Sequence, residues 1–191
     1  MGNWKVTTAP AEAVISTADA KAWLRVEHSD DDALIDAIVS AVSAMAQNYL
    51  SQAFVTQTIT EVFDSWMNAP DAQVINLTLN PVQSITSIFY IDSDGNTQTL
   101  SGSDYSLNNY AKRAKITPAY GITWPTTQLI ANPISVIYMA GYGDAADVPE
   151  DIKLALKLML ADAYENRTDS VRQLPTASKY LLDRLNYTFL L

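Results

Sequence analysis

The chain has 191 residues, of which 48% are hydrophobic and 17% charged, with a net charge of −9 and no cysteine. That is enough apolar material for one domain with a core, or two small ones sharing an interface, and too much for a disordered chain. A nucleic-acid grip needs clustered Lys and Arg, so the acidic balance disfavours one; the lack of cysteine excludes disulfides, thiol catalysis and cysteine metal sites and is compatible with the cytosol.

The opening MGNWKVTTAPAEAV has no apolar core of a signal peptide, and residues 1–14 are expected to be a flexible arm. TADAKAWLR, residues 17–25, reads as a short helix with Thr17 as N-cap, Asp19 in the first turn, and Trp23 and Leu24 buried. Ser29 and Asp32 have the spacing of a capping box. Behind them Leu34, Ile35, Ile38, Val39, Val42, Met45, Ala46 and Tyr49 recur at helical spacing, which predicts a helix from about residue 30 to 50. No run approaches 18 consecutive apolar residues, so no membrane span and no membrane partner is expected.

From about 55 to 140 the pattern becomes short runs rich in Thr, Ile, Val and aromatics: TQTITEVFD, VINLTL, SITSIFYI, NTQTL, YSLN, AKITP and PISVIYMAG. Their borders are Pro, Asn, Asp and Gly, which marks them as strands. Asp94-Gly95 predicts a hairpin turn, and Asn80-Pro81 and Asn132-Pro133 punctuate strand starts. The section is expected to be mostly antiparallel.

Gly141-Tyr142-Gly143 then closes a strand, and Val148-Pro149-Glu150-Asp151 opens a helix whose first turn suits Pro and two acids. Ile152, Ala155, Leu156, Met159, Leu160, Ala163 and Tyr164 trace one face of it, and Leu154 and Leu158 lie off that stripe. An apolar surface this wide predicts packing on two sides. Pro175-Thr176 opens a last helix with Tyr180, Leu181, Leu182 and Leu185 as its apolar face, followed by the apolar tail 186–191. The expected fold class is α+β, with N- and C-terminal helices (17–50 and 149–185) packed as a small bundle and a central antiparallel β-rich section (55–140).

The catalytic vocabulary is thin. His28 is the sole histidine, and no Gly-x-Ser-x-Gly elbow occurs to make a triad with it, so it reads as a loop residue. Asp30, Asp31 and Asp32 are consecutive at a helix start and point in different directions; capping explains them better than a metal. Asp92-Ser-Asp-Gly-Asn96 lacks the Gly and Glu positions of a calcium loop. Gly141-Tyr-Gly143 lacks the Gly-Lys-Ser/Thr of a phosphate loop and the third glycine of a dinucleotide fingerprint. No enzyme activity, cofactor or metal is expected.

Three segments in order carry a resemblance: TADAKAWLRVEHSDDDALIDAIVSAVSAMAQNYLSQAFVTQTIT, NPVQSITSIFYIDSDGNTQTL and VIYMAGYGDAADVPEDIKLALKLMLADAYENR. Together they resemble the tailed-phage head–tail connector (adaptor) proteins and related prophage proteins, over residues 15–185, taken as one connector domain. The resemblance implies a structural, non-enzymatic virion protein at the head–tail interface, present in the host cytoplasm during assembly. Its expected partners are further copies of itself, in a ring beneath the portal protein that matches portal symmetry, and a stopper or tail-completion protein docked on that ring. The resemblance further implies that DNA is expected to pass through the lumen of that ring without specific binding. The interface candidates are Leu154, Leu158, Tyr164 and Arg167, where the surplus apolar surface ends in a polar aromatic and a charge. Another neck or stopper protein is the alternative, and an acidic metal-binding domain a further one.

Overall fold

The computed structural model of the protein describes residues 3–66, 73–111, 113–166 and 176–186. The chain divides into two compact units: residues 1–10 with 56–142, and residues 11–55 with 143–191. The first holds the strands and the second the helices, so the α+β class and the antiparallel central section are as expected.

The β unit contains two antiparallel sheets. The larger has the order β1 (Trp4–Thr8), β2 (Gln57–Phe63), β8 (Ile134–Ala140), β4 (Val82–Ile91), β5 (Thr97–Thr99); the smaller has β3 (Ile75–Asn76), β7 (Lys115–Pro118), β6 (Tyr105–Asn108). In β2 the side chains alternate strictly, with Gln57, Ile59, Glu61 and Phe63 buried. Opposite them β8 buries Ile134, Val136, Tyr138 and Ala140, in a register that pairs Ile59 with Tyr138 and Glu61 with Val136. A half-buried sheet face requires this period-2 pattern. The hairpin at Asp94-Gly95 forms between β4 and β5, with Gly95 at φ +86° and the Asp92 carboxylate accepting from the Asp94 and Asn96 amides at 3.0 and 2.9 Å.

Two expectations change here. Residues 4–8, read as part of a flexible arm, form edge strand β1; its side chains are mostly exposed, and backbone pairing with β2 holds it rather than an apolar face. VINLTL yields only a two-residue strand; the Leu77 amide still donates to the Ala114 carbonyl at 3.0 Å, and Ile75, Leu77 and Leu79 keep one buried face.

Glu61 is 3% exposed. Its Oε2 accepts from Tyr138 Oη at 2.8 Å and from the Thr78 amide at 3.1 Å, and its Oε1 accepts from Thr78 Oγ1. Tyr138 Oη in turn accepts from the Leu79 amide at 3.3 Å. Burial pushes the Glu61 carboxyl above its ordinary range, and the bonds from Thr78 and Tyr138 pull the other way. The Tyr138 hydroxyl is also pushed up, by burial first and by the adjacent carboxylate second.

In the helical unit, α1 (Thr17–Leu24), α2 (Asp32–Leu50), α3 (Glu150–Glu165) and α4 (Thr176–Leu185) pack together, α2 and α3 each touching the other three. The expected bundle of N- and C-terminal helices is therefore present. Its core is Ala20, Ile35, Val39, Val42, Ala46, Leu50, Ile152, Ala155, Leu156, Met159, Leu160 and Leu182. Each large side chain there contributes roughly 1.5–3 kcal/mol.

Local details differ from the sequence reading. Ser16, not Thr17, caps α1 by accepting from the Asp19 amide at 3.1 Å, while Thr17 donates to Asp36 at 2.6 Å. The Ser29–Asp32 capping box does not form; Asp32 instead takes Lys21 Nζ at 2.7 Å. Trp23 is exposed and Leu24 only half-buried, because Ala20 is the α1 residue that turns inward. Leu34 and Met45 of α2 and Tyr180 of α4 face outward as well.

The chain passes from β8 into the helical unit through Gly141 and Gly143, at φ +135° and +144°. A Cβ on Gly143 would sit 2.2 Å from Asp147 Oδ2, the atom that accepts from the Asp144 amide in the following 3-10 turn, Ala145–Asp147. Only glycine fits both the φ and the space.

A Glu61 carboxyl raised in the folded state adds stability that is complete below its ordinary value of 4.5 and is lost as pH rises through the folded value. The unfolding free energy of the native chain relative to Glu61→Gln should therefore increase as pH falls from neutral toward 4.5, measured by urea denaturation. Glu61→Ala should cost about 1–3 kcal/mol for each donor left buried without an acceptor. In the same assay Gly143→Ala should lose at least about 1 kcal/mol.

Candidate functional site

The sequence-derived acids do not assemble into a reactive centre. Among the described residues no group of three or more His, Asp or Glu side chains is placed to hold a metal. His28 is exposed in the turn between α1 and α2. Asp30, Asp31 and Asp32 diverge: Asp31 accepts from Tyr164 Oη at 2.5 Å, Asp32 binds Lys21, and Asp30 is exposed. Asp92 is consumed by its own hairpin, where Gln98 Nε2 at 2.8 Å and the Asn96 amide hold its carboxyl below the ordinary range.

Exposed large apolar side chains remain, and among the described residues of the helical unit they lie on α1, α2, α3 and α4. On α3, Leu154 is 40% exposed and Leu158, one turn later, is half-buried. Between them in sequence, Lys157 places Nζ 5.8 Å from the ring centroid of Trp23, which is 42% exposed on α1. The ammonium is thus held over an aromatic face. Tyr164 is half-buried, with its hydroxyl turned to Asp31. Arg167 lies outside the described residues, as do residues 187–191 of the expected tail.

On α2, the buried stripe Ile35, Val39, Val42, Ala46, Leu50 faces the bundle. The opposite side carries Leu34 and Met45, 37% and 53% exposed, with Ala33, Ala37, Ala41 and Ala44 also exposed and Ile38 half-buried. No charged residue occurs from Ala37 to Leu50. By length and composition α2 could cross a membrane, a property that no unbroken apolar run had signalled. Its ends are anchored in the bundle: Asp36 takes Thr17, and Tyr49 donates to Asp183 of α4. Lys179 completes that second tie at 2.6 Å from Asp183 and, with Tyr49, holds the Asp183 carboxyl below its ordinary range.

The sequence reading singled out Leu154 and Leu158 because they leave the helical stripe. It missed the outer face of α2 because Leu34 and Met45 were taken into the core. The available signal was the uncharged run itself, which is longer than one buried face needs.

Leu154→Glu should leave stability within about 0.5 kcal/mol, whereas Leu156→Glu, two residues on and fully buried, should prevent folding at ambient temperature. Thermal unfolding followed by circular dichroism separates the two. Millimolar calcium or magnesium should leave the melting temperature unchanged.

Comparison with known proteins adds the kinship. A family model described as head completion protein matches residues 13–178. None of the curated proteins matches the chain in sequence. Solved structures share its fold: a chain from the neck of an empty gene transfer agent particle computed with C6 symmetry is 20% identical, with a TM-score of 0.80, over 96% of this chain and 94% of that one. A chain from the virion of the native gene transfer agent particle matches with the same values. One from the native neck computed with C12 symmetry is 21% identical, with a TM-score of 0.78 and the same coverage. The match to the family covers all three segments that carry the resemblance to head–tail connector proteins, and the chain belongs to the head completion protein family.

Proposed function

We propose that the protein is a structural subunit of the virion neck, an adaptor that forms a ring under the portal, extends the DNA channel and docks a stopper or tail-completion protein. The family match across residues 13–178 carries this reading. Chains of the same fold in neck assemblies of gene transfer agent particles support it. It works at the head–tail interface of the particle and is present in the host cytoplasm while particles assemble.

Electrostatics fit the role. The helical unit carries 8 Lys and Arg against 15 Asp and Glu, and the β unit 4 against 6, giving −7 and −2. Neither has the excess of cations that displaces counterions from phosphates, so DNA can move past without being held. The protein does no chemistry in this role and uses no cofactor. Its contact residues on α3 are Leu154 and Leu158, with Tyr164 and Arg167 toward the end of that segment. An apolar side chain left 40% exposed on a bundle helix gains about 25 cal/mol for each Å² that a partner covers.

Mixing purified portal with the chain and resolving the products by mass measurement tests the reading. The native chain should bind portal directly and assemble on it as a ring. Leu154→Glu with Leu158→Glu should keep the fold and lose assembly. Normal rings from that folded variant would overturn the contact assignment. Binding only to a preformed adaptor–portal complex would make the protein a stopper instead.

A further inference from the structure

A closed ring of more than two copies joins each subunit to the next through two different surfaces, one given and one received. Among the described residues of the helical unit, two exposed apolar surfaces on α1–α3 are unlike each other. On α3 and α1, Leu154 and Trp23 project, with Leu158 beside them. On α2 the exposed stripe is low, with Ala33, Ala37, Ala41 and Ala44 interleaved with Leu34, Ile38 and Met45. Alanines let another backbone approach closely, and large side chains fit the spaces between ridges. The charges at the borders are opposite in sign. Lys157 edges the projecting surface and exposed Asp36 edges the stripe.

We infer that the outer face of α2 is the receiving half of the subunit contact and takes Leu154, Leu158 and Trp23 of a second copy of this chain, head to tail. The inference rests on the neck-ring reading and names the surface that reading leaves open. It also accounts for the uncharged run from Ala37 to Leu50: a charge there would be buried without a partner in every contact of the ring. Burial of a 19-residue helix's outer face supplies a large apolar area, and the bordering ion pair sets its direction.

The absence of native cysteine makes the test clean. Met45→Cys and Leu154→Cys are made separately in the full chain, checked for native circular dichroism, and oxidised alone and as an equal mixture, with and without portal. A covalent dimer should form in the mixture and not with either variant alone. Dimers from Met45→Cys alone would show a same-surface contact and overturn the inference. Rings seen by mass measurement without a link between residues 45 and 154 would overturn it and leave the neck-ring reading standing. A chain that stays monomeric and unlinked even with portal removes both. Sedimentation of the native chain with anionic phospholipid vesicles, abolished by Met45→Glu, would assign the α2 face to a lipid surface and overturn the inference as well.

Discussion

A carboxylate that is almost wholly out of water must be given donors, and in the β unit that requirement organises two sheets at once. Glu61 sits on β2 in the buried position of a strict alternation, where an apolar residue would be ordinary. Its oxygens are reached by Tyr138 from the neighbouring strand β8 and by Thr78 from the segment that follows β3 of the smaller sheet. The tyrosine hydroxyl then accepts from the Leu79 amide, so one short chain of hydrogen bonds ties both layers. Apolar pairs such as Ile59 with Tyr138 supply most of the favourable energy but specify little about the angle or register of the smaller sheet. The polar chain does, since displacing residues 77–79 would break the bonds of the Thr78 and Leu79 amides to Glu61 and Tyr138.

Asparagine extends the same logic. Asn80 donates to the carbonyl of Leu77 at 3.2 Å and accepts from the Ala114 amide at 2.8 Å, joining the strand connection to β7. Trp66 and Trp124 stack at 4.7 Å, and Trp66 Nε1 donates to the Pro125 carbonyl at 2.8 Å. Among the described residues, these two ties join connections of the β unit through a side-chain hydrogen bond or a ring stack rather than a strand ladder.

The helical unit follows a different rule. Its interior is almost wholly apolar, and its polar ties lie at helix ends: Lys21 to Asp32, Tyr164 to Asp31, and Tyr49 to Asp183. With the ends secured, the middle of α2 is left without charge on its outer side. A bundle that only has to stay dispersed carries mixed charges on its outer helix faces, and the proposed subunit contact accounts for their absence here. The functional reading rests on the family match, and the proposed receiving surface on this distribution of charge.

Much was legible in the residues taken alone. Helical periodicity marked α2 and α3, short runs rich in β-branched and aromatic residues between Pro, Asn, Asp and Gly marked β2 and β8, Asp94-Gly95 marked the hairpin, and the glycines at 141 and 143 marked a joint. These features are local: they depend on side chains within a turn or a strand, and a local period survives any tertiary context. Three ordered segments were enough to point to the family. Tertiary structure alone decided which of two apolar stripes on α2 faces inward, because periodicity locates a stripe and cannot say that a second one beside it is left outside. It also decided that Ser16 rather than Thr17 caps α1, that Asp32 pairs with Lys21 across two helices, and that residues 4–8 join a sheet through their backbone. The buried Glu61 was invisible for the same reason. A glutamate in an alternating strand reads as a solvent-facing residue until its partners, Thr78 and Tyr138, arrive from 17 and 77 positions away.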